Sequence, residues 1–243
     1  MYEFLKSLIP NRFLQRNKKS LRKLTAVMYR GSIYQCTICD IKLRKFVKLK
    51  NDNLLCPNCG SLARTRRLWQ VIEHELPNKT ILHFSPSKTF KEKLEKLCGS
   101  NYSSSDFVGE FDATKNLDIT ATGEPDNFYD IIICYHVLEH IPNDQKAMQE
   151  LFRIVKPGGQ CVIQTPFKEG DIYENDAITS AQGRLEHFGQ EDHCRIYSVT
   201  GLADRLKSVG FDATIIHYEE ASKNRNGFSL SEYIIFAEKS NIL

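Results

Sequence analysis

Four cysteines sit as two tight pairs, Cys36-x-x-Cys39 and Cys56-Pro-x-Cys59-Gly60, with sixteen residues between them. Two thiolate pairs at this spacing can close a tetrahedral site on Zn2+. Four protein ligands leave no open position, so such a metal is expected to be structural. A module this small has little core and would fold around its ion. Two disulfides or an iron–sulfur site are the other readings, and disulfides do not suit a reducing compartment. A second set of residues could move protons. His136 and His140 follow an apolar run, Ile131 to Cys134, and Asp192-His193 lies in the polar run Arg184 to Tyr197. An imidazole titrates near neutral pH and can take the proton of a hydroxyl. His136 reads as a base or as a packing or orienting group. His193, oriented by Asp192, reads as a base or ligand-binding group, or as part of a structural hydrogen-bond knot. His140 reads as a cap or a site contact.

The elements that must position these groups are legible from pattern. Ile131-Ile132-Ile133-Cys134 is β-branched and too short for a helix, which predicts a buried parallel strand. Asn143 or Asp144 can cap a helix whose stripe is Ala147, Met148, Leu151, Phe152 and Val155. Lys156 closes it, Pro157 stops it, Gly158-Gly159 turn the chain, and Cys161-Val162-Ile163 form the next strand. This strand–helix–strand unit predicts a right-handed crossover in a parallel sheet. Upstream, Thr80 to Phe84 reads as a first strand and Phe90 to Leu97 as a helix. Asn101 to Ser105 reads as a weak second strand with Asp106 at its end, and Asp118-Ile119-Thr120 as the end of a third. Downstream, Lys168 to Ser180 reads as a polar lid. Ser198 caps a helix over Val199 to Ser208, and strands follow over Asp212 to Tyr218 and Ser231 to Ala237.

Charge divides the chain. Residues 1–79 carry 17 Lys+Arg against 5 Asp+Glu, whereas the remainder carries 16 against 25. A basic head on an acidic body favours an anionic partner such as nucleic acid or a membrane surface, or is a solvated basic helix. Residues 1–30 read as a basic arm for such a surface, or as short helices broken at Pro10 that pack on the body. Arg64, Arg66 and Arg67, on a helix starting near Ser61, could be solvated or grip anions. No apolar run reaches the ~20 residues of a membrane span. The four remaining cysteines are scattered, the habit of a reduced compartment, so a soluble cytoplasmic protein is expected.

An acidic residue opening an apolar strand (Asp130), then Val137-Leu138-Glu139-His140, then Arg153-x-Val155-Lys156-Pro157-Gly158-Gly159 into a strand, resembles the class I S-adenosylmethionine-dependent methyltransferases, type 11-like. The resemblance runs from about Thr80 to Phe167 and extends more weakly to the C-terminus. It implies a doubly wound α/β fold with a seven-stranded, mainly parallel, Rossmann-like sheet. It also implies a cofactor site: Asp106 for the ribose hydroxyls, Asp118 for the adenine amine, Ile119 beside the ring, and the Ser85–Ser87 loop beneath the methionine moiety. The family's acidic-x-Gly-x-Gly loop is replaced here by Ser85-Pro86-Ser87-Lys88. A His-x-Ser-Pro variant resembles a bacterial subset and adds His83, and Cys134 stands at the fourth strand's end as a core thiol on the cofactor side. In related bacterial sequences a Phe-Gly-Gln-x-Asp-His-x-Arg-x-Tyr run occupies the place of Phe188 to Tyr197, which suggests an acceptor loop. The cysteine module resembles a zinc ribbon.

The expected organisation is therefore a basic arm (1–30), a zinc-ribbon-like module (31–63), a linking helix (64–78) and a methyltransferase domain (79–243). The expected activity is methyl transfer from S-adenosylmethionine to an oxygen or nitrogen acceptor on a saccharide or small molecule. The basic head also fits a ribosomal-RNA methyltransferase with a zinc-binding head. The missing glycines fit a non-catalytic module that recruits a partner.

Overall fold

The computed structural model describes residues 21–49, 52–109 and 112–241. Residues 1–20, most of the expected basic arm, lie outside them, and 21–27 are helical. The chain divides into two compact units, one of residues 1–74 with 219–230 and one of 75–218 with 231–243.

The first unit is built of short pieces. Strand β1 (Arg30–Gln35) pairs antiparallel with β2 (Lys42–Leu43), and β3 (Val47–Lys48) with β4 (Leu54–Leu55). Helix α1 (Ala63–Ile72) follows. The unit is completed from far along the chain by Glu219–Leu230, the connection between the last two strands. The sequence boundaries did not anticipate that return. Arg66 shows why the segment belongs here: it is fully buried, its Nε donates to the Asn226 carbonyl at 2.8 Å, and its other nitrogens donate to the carbonyls of Ser61, Leu54 and Gly227. Its guanidinium also stacks on Phe46, 4.2 Å from the ring centroid. Gly227, at φ +62°, lets the backbone pass where a Cβ would sit 2.3 Å from the Phe46 ring. Arg67 is buried too, against Phe228 and Glu220. The expectation that Arg66 and Arg67 are solvated or grip anions is thus corrected: a planar fork of donors satisfies loop carbonyls that no regular ladder reaches.

The second unit carries a six-stranded sheet. Its elements in order are β5 (Ile81–Phe84), α2 (Lys88–Cys98), β6 (Tyr102–Ser105), β7 (Tyr129–Tyr135), α3 (Asp144–Ile154), β8 (Val155–Gln164), β9 (Tyr173–Glu174), α4 (Ala181–Phe188), β10 (Arg195–Ile196), α5 (Val199–Ser208), β11 (Asp212–Glu219) and β12 (Ser231–Glu238). The sheet order is β11-β12-β8-β7-β5-β6, with β6, β5, β7 and β8 parallel and β12 antiparallel to β8. Asp130 ties the sheet's lower edge, accepting from Thr80 N–H and Lys156 Nζ, each at 2.8 Å. Leu82, Ile132, Cys161 and Ile163 meet Met148, Leu151 and Leu202 in the main apolar cluster.

Seven strands were expected and six are present among the described residues. The place of the third is held by a single bridge between Lys115 and Ser105. There the Thr114 hydroxyl accepts from Ser104 N–H at 2.9 Å and donates to its carbonyl at 2.9 Å, so a side chain takes over the edge groups that a ladder would use. Two smaller corrections follow. Helix α3 ends at Ile154, and Val155 already pairs in β8, because Pro157 drives Lys156 out of the helical region. The expected lid is pinned at its middle, where β9 pairs with β10, and the unforeseen helix α4 follows it, capped by Ser180 and stopped by Gly189 at φ +84°.

Candidate functional site

The chain runs from β5 outward to β6, then returns to lay β7 on the other side of β5. In an open parallel sheet such a reversal opens a crevice at the carboxyl ends of the strands. Two residues with unusual backbone stand there. Six residues other than glycine have positive φ among those described; four are Asp or Asn in turns, and the others are Ser85 (φ +49°) and His136 (φ +56°). They directly follow the neighbouring strands β5 and β7. Backbone held in this region without a glycine is strained, and such strain gathers at binding sites.

Ser85 and Asp106 come together at this edge. Ser85 Oγ donates to Asp106 Oδ1 at 3.1 Å, and Ser85 N–H donates to the Ser105 carbonyl at 2.7 Å. Asp106 is buried. Ser87 precedes the first turn of α2 and is exposed, and its carbonyl accepts from Phe90 and Lys91. Asp118 is drawn to the end of β6 because Leu117 N–H donates to Ser105 Oγ at 3.0 Å. Its Oδ1 accepts from the N–H and hydroxyl of Thr120, both at 2.8 Å, which is a turn-forming role.

The core takes up the other three expected cofactor residues. His83 faces away from the main cluster, with Nδ1 3.2 Å from the Tyr102 hydroxyl and its ring edge-on to Phe90. Burial holds its pKa down to about 3, so it is neutral. Ile119 packs in the main cluster. Cys134 is fully buried between Phe84 and Ile163, and burial, with Cys161 and Glu139 nearby, pushes its thiol well up. A neutral enclosed thiol is no nucleophile.

Beyond β7 a group of ionisable side chains converges. A short 3-10 turn, Leu138–His140, presents Glu139 and His140. His136 Nδ1 lies 3.2 Å from Glu139 Oε1. His193 meets His140 edge to face, with ring centroids 4.7 Å apart. Asp192 does not orient His193, as the sequence reading had it. Asp192 Oδ2 lies 2.9 Å from His140 Nδ1, while His193 Nδ1 faces the Phe188 carbonyl at 3.2 Å. Burial and the neighbouring His140 lower the pKa of His193. Sequence adjacency suggested the wrong pair because neighbours in an irregular segment can point apart.

What brings 192–193 to 139–140 is the rest of the polar run. Arg195, buried, donates to the carbonyls of Leu138, Ile141 and Pro142 at 3.3, 2.5 and 2.8 Å. Cys194 N–H donates to the Glu139 carbonyl at 2.7 Å. Tyr197 and Arg205 both donate to Asp144 Oδ2 at 2.5 Å, and Arg195 Nε donates to Glu174 at 2.8 Å. The density of polar groups in this run is therefore a clamp on the turn after β7. Glu139 is the member that sequence reasoning missed: it was noted only as part of a motif, and its burial is a tertiary fact.

In the first unit the four cysteines converge as their spacing predicted. Cys36 and Cys59 sulfurs are 3.7 Å apart, and Cys39 and Cys56 sulfurs 3.8 Å. A tetrahedron of metal–sulfur bonds near 2.3 Å has edges of about 3.8 Å, whereas a disulfide needs about 2.05 Å. The two loops match: Asp40 N–H returns to the Cys36 carbonyl and Gly60 N–H to that of Cys56, with φ positive at both. Burial lowers the pKa of the Arg66 guanidinium, and the four nearby cysteines act against that effect. These residues fit a closed four-coordinate cation.

Comparisons with known proteins bear on the second unit. A family model described as a methyltransferase domain matches residues 85–215. An uncharacterized methyltransferase of Schizosaccharomyces pombe is 26% identical over 160 residues, 62% of this chain and 54% of that protein. A ubiquinone biosynthesis O-methyltransferase of Psychrobacter arcticus is 28% identical over 100 residues, 39% of this chain and 38% of its own length. The chain thus matches about half or less of these relatives' lengths. Among solved structures, an S-adenosylmethionine-dependent methyltransferase of Archaeoglobus fulgidus superposes with a TM-score of 0.53 at 18% identity, covering 72% of this chain and 93% of that one. The 1,6-didemethyltoxoflavin-N1-methyltransferase of Burkholderia thailandensis gives 0.51 at 12% identity, covering 74% and 79%. Identities this low speak to fold alone. No helix among the described residues is long and apolar enough to cross a membrane. Because the family model spans more than half of the chain, from Ser85 directly after β5 through β6 and β7, the chain belongs to the methyltransferase domain family, whose methyl donor is S-adenosylmethionine.

Proposed function

We propose that this protein transfers the methyl group of S-adenosylmethionine to an oxygen or nitrogen atom of a saccharide or other small molecule. The single observation behind this reading is the pairing of two features on one crevice edge: the Ser85–Asp106 contact after β5 and β6, and the ionisable group beginning at His136 after β7. Asp106 would accept from the ribose hydroxyls, with Ser85 and Ser87 against the methionine moiety and Asp118 near the adenine. The cofactor supplies an electrophilic methyl on a sulfonium. The protein's part is to align acceptor, methyl carbon and sulfur. As the acceptor oxygen bonds to the methyl carbon, the carbon–sulfur bond breaks and its electron pair stays on sulfur. The acceptor proton passes to His136, which is half-buried beside the Glu139 carboxylate. An oxygen or nitrogen acceptor needs that proton removed, and this supports the choice over a purely apolar acceptor. The Psychrobacter relative, an O-methyltransferase by name, is in keeping with it.

The cysteine module would hold Zn2+ as a structural ion on Cys36, Cys39, Cys56 and Cys59. The basic balance of residues 1–79 leaves an RNA acceptor as the competing substrate, and salt-sensitive RNA binding would favour it. The test is calorimetric titration with S-adenosylhomocysteine beside Asp106→Ala. Losing a hydrogen bond to a charged group should weaken binding by about 10- to 100-fold. Well-folded native protein that binds neither S-adenosylhomocysteine nor S-adenosylmethionine would sink the reading and favour a recruitment module.

A further inference from the structure

We propose that Glu139, His140 and His193 form a second metal site, for a divalent transition-metal cation, at the carboxyl end of β7. One potential donor atom from each residue lies within 4.8 Å of the others. Glu139 is 1% exposed; His136 Nδ1 lies 3.2 Å from its Oε1, and its Oε2 is buried with no hydrogen-bond partner. A buried carboxylate left this way is costly unless something else neutralises it. His193 is 4% exposed, and its Nε2 is buried without a partner. Its Nδ1 faces the Phe188 carbonyl, so Nδ1 carries the proton and Nε2 presents a lone pair. His140 is built the same way: Nδ1 faces the Asp192 carboxylate at 2.9 Å, which leaves Nε2 as its donor. A metal-binding histidine typically gives its other N–H to a carbonyl or carboxylate, and here one histidine has each.

The surroundings hold these donors in place. The Arg195 guanidinium and Cys194 N–H grip the turn carrying Glu139 and His140 through its carbonyls. A structural hydrogen-bond knot would close on itself, whereas this one leaves two buried acceptor atoms, Glu139 Oε2 and His193 Nε2, without a hydrogen-bond partner. Two imidazoles and one carboxylate suit the manganese-to-zinc series better than magnesium or calcium, which prefer all-oxygen sites. Three protein ligands leave open positions, unlike the closed cysteine set. The inference deepens the methyl-transfer reading and rests on it for its role: a cation here would bind the acceptor oxygen beside His136 and ease its deprotonation.

Metal content decides the matter independently of activity. The full-length protein is stripped with a chelator, reloaded with Zn2+ or Co2+, and dialysed, and metal per chain is counted. The native protein should hold one equivalent on the cysteines and a second that H193A and E139Q each remove. Co2+ should keep its thiolate absorption in both variants and lose the weaker band of the nitrogen–oxygen site. Asp192→Asn, a positioning change, should weaken the second equivalent about 10- to 100-fold. Should a buried variant misfold by circular dichroism, half-exposed His140→Ala takes its place. A native protein with a single equivalent that Cys56→Ser abolishes overturns the proposal, as does a second equivalent that survives in folded H193A, E139Q and H140A. S-adenosylhomocysteine titration of the same samples separates the two failures: native protein that binds S-adenosylhomocysteine but holds no second equivalent counts against this site alone.

Discussion

The two donor clusters of this molecule differ in how they are made. The cysteine cluster comes from two short loops, each closing within five residues, and all four sulfurs face one another. The Glu139–His140–His193 cluster comes from segments some fifty residues apart and is held by a clamp that is itself built of buried charge. The first is closed, and its ion would be part of the fold. The second is open, at the carboxyl end of the interior strand β7. Structural and reactive metal chemistry thus call for opposite arrangements: saturation and local encoding in one, unmet donors and long-range support in the other.

The largest test of this contrast is metal removal from the cysteines. Structural zinc contributes on the order of 10 kcal/mol to modules of this kind. Chelation or Cys56→Ser should therefore expose residues 30–73 to proteolysis and, because Glu219–Leu230 belongs to the same unit, cleavage should appear there at the same time. The sheet's circular dichroism should persist. Cleavage in 30–73 with 219–230 still protected would break the idea of one cooperative unit.

Next in size is Arg66→Ala. It leaves the carbonyls of Ser61, Leu54, Asn226 and Gly227 without their buried donor, and a loss of about 3–5 kcal/mol in denaturant unfolding is expected. Lysine should not rescue it, since one ammonium cannot span four acceptors. A change under about 1 kcal/mol would mean that water replaces the guanidinium.

A smaller effect comes from His83, which is neutral in the fold with a pKa of about 3, while the unfolded chain takes up a proton near 6.5. The unfolded state binds more protons between those values, so stability rises with pH from about 3 to about 6.5 and is flat above. One such group contributes at most about 1.4 kcal/mol per pH unit. H83F should flatten the acid limb of the stability curve by that amount, and an unchanged slope would show that the histidine is not held neutral.

The smallest expected effect is the most pointed. In metal-free protein, Glu139→Gln should leave stability unchanged or raise it by about 1 kcal/mol, because it removes a buried charge whose Oε2 has no hydrogen-bond partner. A cysteine change should instead destabilise the metal-loaded protein, because it removes a ligand of the folding ion. Destabilisation by E139Q without metal would show that Glu139 is a structural partner of His136.

Much of the second unit could be read in advance. Helix α5 with its Ser198 cap, strands β7 and β8 and the final strand pair lie where periodicity put them. Such signals are local: a cap acts over three residues and strand alternation over two. Helix α4 was missed because Gly183 and a weak apolar stripe blur its period. Asp106 could be expected at a strand end from its family likeness, but its contact with Ser85 could not.

The sequence by itself determined the cysteine cluster and the strand–helix–strand unit of β7, α3 and β8, because each is encoded by spacings within one turn or one strand–helix unit. Only the tertiary structure decided that Arg66 is buried under 226–227, that Asp192 serves His140 and not His193, and that Glu139 stands buried beside His136. Those facts depend on where distant chain segments return. That is set by the summed burial of many side chains and by the carbonyls each returning loop leaves to be satisfied.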